Sequence, residues 1–306
     1  MDNARTRWAS LEVEDWTPTR ETLHMWLQIV GKIRMAGSPF VNHWWHVTLT
    51  LTARGLGTGP IPIDGRILDI EFDFIDHQLT LRTSDGRLER FALQPMTVAE
   101  FYRRTFAALA ALDVEVRIHP APNEVDPAIP FADDVEHRSY EPAQVHAFWT
   151  QLIQADRVLR QLRAEYRGKA SPVHLFWGAL DLATTRFSGR PAPVHPGGAA
   201  NCPDRVMVEG YCDELSSAGF WPGGGREGAF YAYAYPEPDG YREVAVPDGA
   251  FYDHQLQEFI LPFETVRQAE DPDALALEFL RVTAAAAARL GTWPPVERTR
   301  AGSGRD

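Results

Sequence analysis

Two histidines and one carboxylate on successive predicted strands are the residues best suited to chemistry. His46 lies in the polar phase of segment 43–52, where apolar and polar residues alternate as in a half-buried strand. Asp73 and His77 lie on or just after a second alternating segment, 67–75. If the polar faces of these strands coincide, the three residues form the two-His-one-carboxylate set that binds non-haem iron or catalytic zinc. We therefore predict His46, Asp73 and His77 as catalytic residues and as ligands of a divalent metal (Fe, Zn or Mn). A solvated sheet face would give the same pattern.

His43 lies in the other phase of segment 43–52, with apolar residues. A histidine on an apolar strand face is more often a hydrogen-bonded core residue than a ligand, and we predict His43 as such. His174 stands among apolar residues later in the chain, and the same prediction applies to it.

A second group of residues suits ligand binding. The alternation over 230–235 predicts a strand with a row of phenols on one face. The Gly/Pro-rich stretch 188–229 before it predicts a loop that covers the ligand as a lid. Guanidinium groups elsewhere could grip an anionic group. A packed loop, a half-buried edge face and surface salt bridges remain the alternatives. The predicted ligand-binding residues are Arg54, Trp177, Arg186, His195, Trp221, Tyr231 and Tyr233.

An internal repeat positions these groups. The tetrapeptide Asp-His-Gln-Leu occurs at Asp76–Leu79 and again at Asp253–Leu256, and each copy follows a predicted helix that opens at a proline, Pro18 or Pro142. A duplication predicts an α/β (α+β) fold of two diverged helix–strand–strand–helix repeats. We expect them to pack as one pseudo-symmetric body with mainly antiparallel sheet, because each has one apolar sheet face to bury.

The predicted boundaries follow from composition. Prolines mark a linker, and a polar stretch ends the chain. The predicted units are a first repeat (8–119), a linker (120–137), a second repeat (138–293) that carries the Gly/Pro-rich insertion 188–229, and a disordered tail (294–306).

Charge and composition limit the partners. The formal net charge is −12, from 42 acidic and 30 basic residues, so nucleic acid and anionic membranes are poor partners. Two cysteines and a start without an apolar stretch predict a cytoplasmic protein. The chain has no GxGxxG after a strand, no GxxxxGK[ST], no HExxH and no GxSxG, and therefore no nucleotide cofactor motif. A divalent metal is the only cofactor that the residue types suggest.

Several long strings, among them HWWHVTL, EFDFIDHQL, SPVHLFWG, SSAGFWPGG and FYAYAYPEP, resemble an uncharacterised bacterial family known only as a domain of unknown function. The resemblance runs from about Trp8 to Trp293. It implies one full-length unit and no activity.

We predict an enzyme that acts on a small polar or aromatic metabolite in a cleft between the repeats, under the 188–229 lid. Two alternatives stay open. The chain could be a non-catalytic ligand-binding or regulatory module, or a structural partner protein that forms homo-oligomers.

Overall fold

The computed structural model describes residues 7–295, so all but two residues of the predicted tail 294–306 lie outside the described part. Among the described residues the chain is a mixed α+β protein with six α-helices and two antiparallel six-stranded sheets. None of these helices is long and apolar enough to cross a bilayer. This confirms the α+β class and the antiparallel sheets of the sequence prediction.

The first half begins with the long helix α1 (Val13–Gly37) and closes with α2 (Val98–Ala111). Its sheet has the strand order β1-β2-β4-β5-β6, with β3 paired to β4. The strands are β1 (Thr50–Leu51), β2 (Gly55–Gly57), β3 (Ile61–Ile63), β4 (Arg66–Asp73), β5 (Gln78–Thr83) and β6 (Leu88–Ala92).

The second half begins with α3 (Pro142–Ala164) and ends with α5 (Phe263–Gln268) and α6 (Pro272–Leu290). Its sheet has the order β11-β12-β10-β9-β8-β7, and a short helix, α4 (Asp204–Gly210), lies between β8 and β9. The strands are β7 (His174–Phe176), β8 (Asp181–Pro191), β9 (Asp213–Trp221), β10 (Ala229–Tyr235), β11 (Phe251–Asp253) and β12 (Glu258–Pro262).

The first sheet follows the alternation of its sequence. Ile70 and Phe72 on β4 are fully buried, and Phe72 stacks on Phe101 of α2, which in turn stacks on Trp26 of α1. Alternation therefore predicted β4 and its buried face correctly, since one side of an antiparallel sheet packs on helices and the other faces outward.

The two sheets meet edge to edge. Leu49, just before β1, exchanges both backbone hydrogen bonds with Leu175 of β7, at 2.9 and 2.7 Å. Residues 112–141 connect the halves without a helix or strand, although Phe131 and Tyr140 within them are fully buried.

The strand predicted over 43–52 is wrong for most of its length. Residues Asn42–Trp44 form a 3-10 turn, and only Thr50 and Leu51 belong to a strand. His43 and Trp44 have φ values of 56° and 61°, a left-handed conformation that an extended strand excludes. Contacts with the distant helix α4 stabilise this turn, because the Trp44 indole donates to Val206 O at 3.0 Å and the His43 N–H donates to Glu209 Oε1 at 3.0 Å.

The prediction of a single loop or lid over 188–229 is also wrong. This stretch contains α4 and the whole of β9, which lies between β8 and β10 inside the second sheet. Small residues such as Ser217 and Gly219 weaken the strand signal of β9 in the sequence. Gly219 is needed because the Tyr231 side chain of the neighbouring strand passes over it.

The Asp-His-Gln-Leu match is out of structural register. In the first hairpin Asp73 accepts the N–H groups of Ile75 and Asp76, and in the second Asp253 accepts those of Gln255 and Leu256. Asp253 therefore corresponds to Asp73, three residues before the Asp76 that begins the first tetrapeptide. The two hairpins share their geometry, whereas the tetrapeptide itself does not mark equivalent positions.

Candidate functional site

The second sheet has one face in the core and one face on a cavity. Phe220 and Phe230 point to the core, and the ring centres of Phe220 and Phe263 lie 5.3 Å apart. The helices α3 and α6 cover this face of the sheet. The opposite face forms the floor of a cavity of about 790 Å³. A volume of this size is typical of small-molecule sites.

Four strands supply the floor. In register across the sheet, Thr185 of β8 pairs with Ser217 of β9, which pairs with Tyr233 of β10. The strand period of two places Asp181 on the same side of β8 as Thr185, and Tyr231 on the same side of β10 as Tyr233. The lining residues on these four strands are Asp181, Ala183, Thr185, Phe187, Leu215, Ser217, Trp221, Tyr231, Tyr233 and Glu258.

Gly219 of β9 allows a side chain of β10 to contact a side chain of β8. A Cβ at this position would lie 2.5 Å from the Tyr231 hydroxyl oxygen, so only glycine leaves room for the ring to cross β9. Tyr231 thereby reaches β8, where its hydroxyl donates a short hydrogen bond to Asp181 Oδ2. An acid and a phenol thus form a hydrogen-bonded pair on the cavity floor.

Three carboxyl groups in this cavity have raised pKa values. Burial raises the pKa of Asp181 to about 6, although the Tyr231 hydrogen bond opposes the shift. Burial within the cavity walls, together with the charge of Asp181, raises the pKa of Glu124 to about 7. Burial and the same charge raise the pKa of Glu258 to about 7. Groups that exchange protons near neutral pH are suited to general acid–base catalysis.

Further hydroxyl groups extend the polar floor. The Tyr211 and Tyr233 hydroxyls lie 2.8 Å apart, and Thr185 Oγ1 lies 2.9 Å from Ser217 Oγ. Burial raises the pKa of Tyr211 to about 12, so this phenol stays protonated and can donate to a ligand.

The opposite wall comes from other parts of the chain. Trp44 of the 3-10 turn and Met207 of α4 line the cavity, as do Asn123 and Glu124 from the connection 112–141. The backbone N–H of Glu124 donates to Ala200 O at 2.8 Å, and Asn123 Nδ2 donates to Asn201 O at 3.0 Å. Segments from the first half, the connection and the second half therefore line the same cavity.

Lys32 of α1 also lines this wall, and its side chain is almost completely buried. Its ammonium group donates a short hydrogen bond to Asn123 Oδ1 and lies over the Trp177 ring, 5.4 Å from the ring centre. Burial lowers the pKa of Lys32 to about 8.

A group of potential metal ligands lies at the edge of the cavity. His43, Cys212 and Asp213 place one ligand atom each within 4.8 Å of one another, and among residues 7–295 they are the one such group. The Lys169 ammonium, however, lies 2.7 Å from His43 Nε2 and 2.7 Å from Asp213 Oδ2. It occupies the place between these atoms that a metal ion would need, so the group already holds a cation.

The predicted trio is not brought together. Among the described residues, His46, Asp73 and His77 do not place their ligand atoms close enough to share a metal ion. Each side chain contacts other groups instead: His46 Nδ1 accepts from Val41 N at 3.2 Å, and His77 Nδ1 lies 2.9 Å from the Tyr140 hydroxyl. The trio depended on a strand at 43–52, which the structure replaces with a turn.

Asp73 has a structural environment. Its carboxylate accepts from Arg54 Nε at 2.5 Å and from two backbone N–H groups of its hairpin. Burial acts to raise the pKa of Asp73, but these hydrogen bonds outweigh it and hold the pKa below its ordinary value.

The seven predicted ligand-binding residues divide into two groups. Four of them line the cavity: Trp177, Trp221, Tyr231 and Tyr233. The other three make intramolecular contacts: Arg54 pairs with Asp73 and Asp76, Arg186 donates to Leu162 O and lies over the Tyr166 ring, and the His195 ring packs on Tyr211 and Tyr235.

Sequence reasoning missed Asp181, Glu124 and Lys32. Asp181 carries a weak signal, since it begins an alternating strand on the side that also bears Thr185. Glu124 and Lys32 carry none, because one lies in a connection and the other in the middle of a helix. Their shared location depends on contacts between segments about ninety residues apart, such as Lys32 with Asn123.

Comparison with known families agrees with this full-length architecture. A family of unknown function, DUF5996, matches residues 8–300. The chain belongs to this family. No curated protein and no solved structure matches the chain. The family match confirms the resemblance seen in the sequence and assigns no activity.

Proposed function

We propose that this chain is an enzyme that binds a small polar or aromatic molecule in the cavity and catalyses proton transfer on it. One observation carries the proposal: the Asp181–Tyr231 pair on the cavity floor, in which the acid has a pKa of about 6. A carboxyl group that titrates close to neutral pH can both accept and return a proton during turnover.

The roles of the pair follow from their pKa values. Asp181 is the general base when ionised, because burial makes its carboxylate more basic than an exposed one. The pKa of Tyr231 lies well above its ordinary value through burial and the Asp181 charge, so its phenol keeps its proton. The phenol orients the Asp181 carboxylate by its hydrogen bond and stabilises the negative charge of that carboxylate until Asp181 takes up a proton.

The cavity walls support the substrate class. Trp177, Trp221 and Trp44 offer indole rings for stacking, and the phenols of Tyr211 and Tyr233 offer hydrogen-bond donors. Trp221 lines the cavity and is 38% exposed, so its ring is accessible to an entering ligand. This proposal assigns no step to a metal ion.

The test begins with a thermal-shift screen of small polar and aromatic metabolites against the full-length protein. Compounds that raise the melting temperature are then incubated with the protein, and product formation is followed by NMR. Tyr231→Phe is expected to lower turnover by about 100-fold while the compound still stabilises the protein.

Two variants decide where the compound binds. Ser217→Phe places a ring on the cavity floor and should abolish the thermal shift. Arg90→Trp adds a ring on the exposed side of β6, a strand that does not line the cavity, and should leave the shift intact. Stabilisation that survives Ser217→Phe would remove the cavity from the proposal, and stabilisation without turnover of any compound would leave a binding module instead of an enzyme.

We also propose that the halves descend from a duplicated ancestor. Each half begins with a helix of more than 20 residues, continues into a six-stranded antiparallel sheet and closes with a helix. The Asp73 and Asp253 hairpins support the idea through their shared backbone hydrogen bonds. The proposed catalytic floor then belongs to the second half, and the first half contributes to the opposite wall.

A further inference from the structure

We infer that Lys32 is a nucleophilic lysine that forms a Schiff base with a small aldehyde or ketone bound in the cavity. This inference rests on the proposed function, since it names the substrate class of the same site. It is carried by separate residues on the wall that faces the Asp181–Tyr231 pair.

The surroundings of Lys32 differ from those of an ordinary lysine. The residue is 1% exposed, and its ammonium group donates to a neutral amide oxygen, Asn123 Oδ1. Within the described part of the chain, no carboxylate forms a salt bridge with Lys32, whereas Lys169 pairs with Asp213 at 2.7 Å. Lysine is rarely buried without an acidic partner, because the charged form loses its hydration.

A polar row along α1 holds Lys32 in place. His24, Gln28 and Lys32 are spaced four residues apart, which places them on one face of the helix. Gln28 makes two hydrogen bonds of 2.8 Å to the backbone of Asn123, one as donor and one as acceptor. Through these two bonds the helix fixes the position of Asn123, whose side-chain oxygen accepts the Lys32 hydrogen bond.

Trp177 completes the nucleophile's pocket. The ring lies against Gly31, where a Cβ would meet ring atoms at 2.2 Å, and its N–H donates to Val47 O at 2.8 Å. An aromatic ring in this place covers one side of the amine and shields it from water. A lysine desolvated in this way is the usual form of an amine nucleophile.

The burial has a direct chemical consequence. Because burial lowers the pKa of Lys32 to about 8, roughly a quarter of its amine is neutral at about pH 7.5, against about one part in a thousand for an ordinary lysine. The neutral amine is the form that attacks a carbonyl carbon.

The reaction balances within the cavity. The Lys32 nitrogen lone pair forms a bond to the carbonyl carbon as the C=O π bond breaks, and a proton lost from the nitrogen is taken up by the oxygen, which gives a neutral carbinolamine. A carboxyl group then protonates the hydroxyl group, the C–O bond breaks with loss of water, and the nitrogen lone pair forms the C=N bond of a protonated Schiff base beside the resulting carboxylate. Glu124 is suited to supply this proton, because it follows Asn123 in the chain, lines the same cavity and has a pKa of about 7.

The experiment uses reductive methylation of the full-length protein. Formaldehyde is the carbonyl probe, and sodium cyanoborohydride reduces each Schiff base as it forms. The chain has two lysines, Lys32 and Lys169, so peptide mass spectrometry reads both rates from one sample. Lys169 is the matched control, because its ammonium is tied to Asp213 and His43.

We expect Lys32 to be methylated at least about tenfold faster than Lys169 at neutral pH. Its rate should level off above about pH 8, the pKa of the group. Equal rates, or a slower rate at Lys32, would overturn the inference, and so would failure of formaldehyde to reach it, since a substrate must reach the same atom.

A second measurement covers the role in turnover. Lys32→Arg keeps the charge and removes the nucleophile, so it should abolish turnover of a carbonyl substrate while ligand stabilisation remains. Full turnover in Lys32→Arg would show that Lys32 provides charge alone. The methylation rates need no substrate, so this inference can fail while the proposed proton-transfer enzyme stands, and the reverse also holds.

Discussion

Asp73 and Asp181 are the same residue type at the ends of strands in the two antiparallel sheets, yet their environments shift their pKa values in opposite directions. Asp73 lies at the end of β4 and accepts from a guanidinium and two backbone N–H groups, so its pKa is held below its ordinary value. Asp181 begins β8 and faces a cavity, where a phenol donates to it and burial raises its pKa to about 6.

The groups that surround each carboxylate account for the difference between the two pKa values. Hydrogen bonds to the charged form stabilise it and make the acid structural, whereas burial without a cation keeps a carboxylate ready to accept a proton. Residue type and spacing predicted Asp73 as catalytic. In the structure its carboxylate accepts from Arg54 and from two backbone N–H groups of its own hairpin.

The sharpest test of the comparison exchanges each acid for its amide. Asp181→Asn should lower the turnover of a substrate found in the screen by at least about 100-fold and remove the acidic limb of the pH–rate profile near its pKa. Asp73→Asn should change the rate by less than about threefold. Comparable losses of turnover in the two variants would contradict different roles for the two acids. An acidic limb near pH 6 that persists in Asp181→Asn would contradict them as well.

The second test concerns stability. Asp73→Ala should lower the free energy of unfolding by about 2 kcal/mol, because two backbone N–H groups and Arg54 lose their acceptor. Asp253→Ala, in the corresponding hairpin, removes the same two backbone bonds without an arginine. It should therefore cost less stability than Asp73→Ala. Urea unfolding measures both, and equal losses would contradict a role for the Arg54 pair.

The third test asks whether partners also decide metal binding. Lys169→Ala removes the ammonium between His43 and Asp213, so Zn²⁺ should bind at least about tenfold more tightly than to the unchanged protein. Competition with a chromophoric chelator gives the affinity. The double variant Lys169→Ala/His43→Ala is the control and should lose the gain. Tight zinc binding by the unchanged protein would show instead that Lys169 is easily displaced.

The smallest expected effect is on the pH dependence of stability. The folded-state pKa of Asp181 is raised, so its contribution to stability is present below the ordinary pKa of an aspartate and is lost as the pH rises through about 6. From about pH 5 to about pH 7.5 the unchanged protein should therefore lose about 1 kcal/mol relative to Asp181→Asn. The opposite sign holds for Asp73, whose contribution is lost as the pH falls. Parallel stability curves for the Asp181 variant and the unchanged protein would rule out the raised pKa.

Local patterns predicted a good part of this molecule. The alternation over 67–75 identified β4, and Pro142 begins α3 as expected. The phenol row of β10 was also read correctly, and Tyr231 and Tyr233 line the cavity. These features depend on neighbours along one segment, which the sequence displays directly.

Two predictions failed because distant contacts outweigh local pattern. The segment 43–52 alternates like a strand, but bonds to Val206 and Glu209 of α4 stabilise a turn at His43 and Trp44. The small residues of β9 look like a loop, but Gly219 is required because the Tyr231 ring crosses it.

By itself the sequence determined the α+β class, the antiparallel strands with alternating faces, the family and the aromatic residues available for a ligand. The pKa values of the individual acids followed from the tertiary structure alone. The physical reason is that a pKa depends on what surrounds the group in space, and the surroundings of Asp181, Glu124 and Lys32 come from segments that lie far apart in the chain.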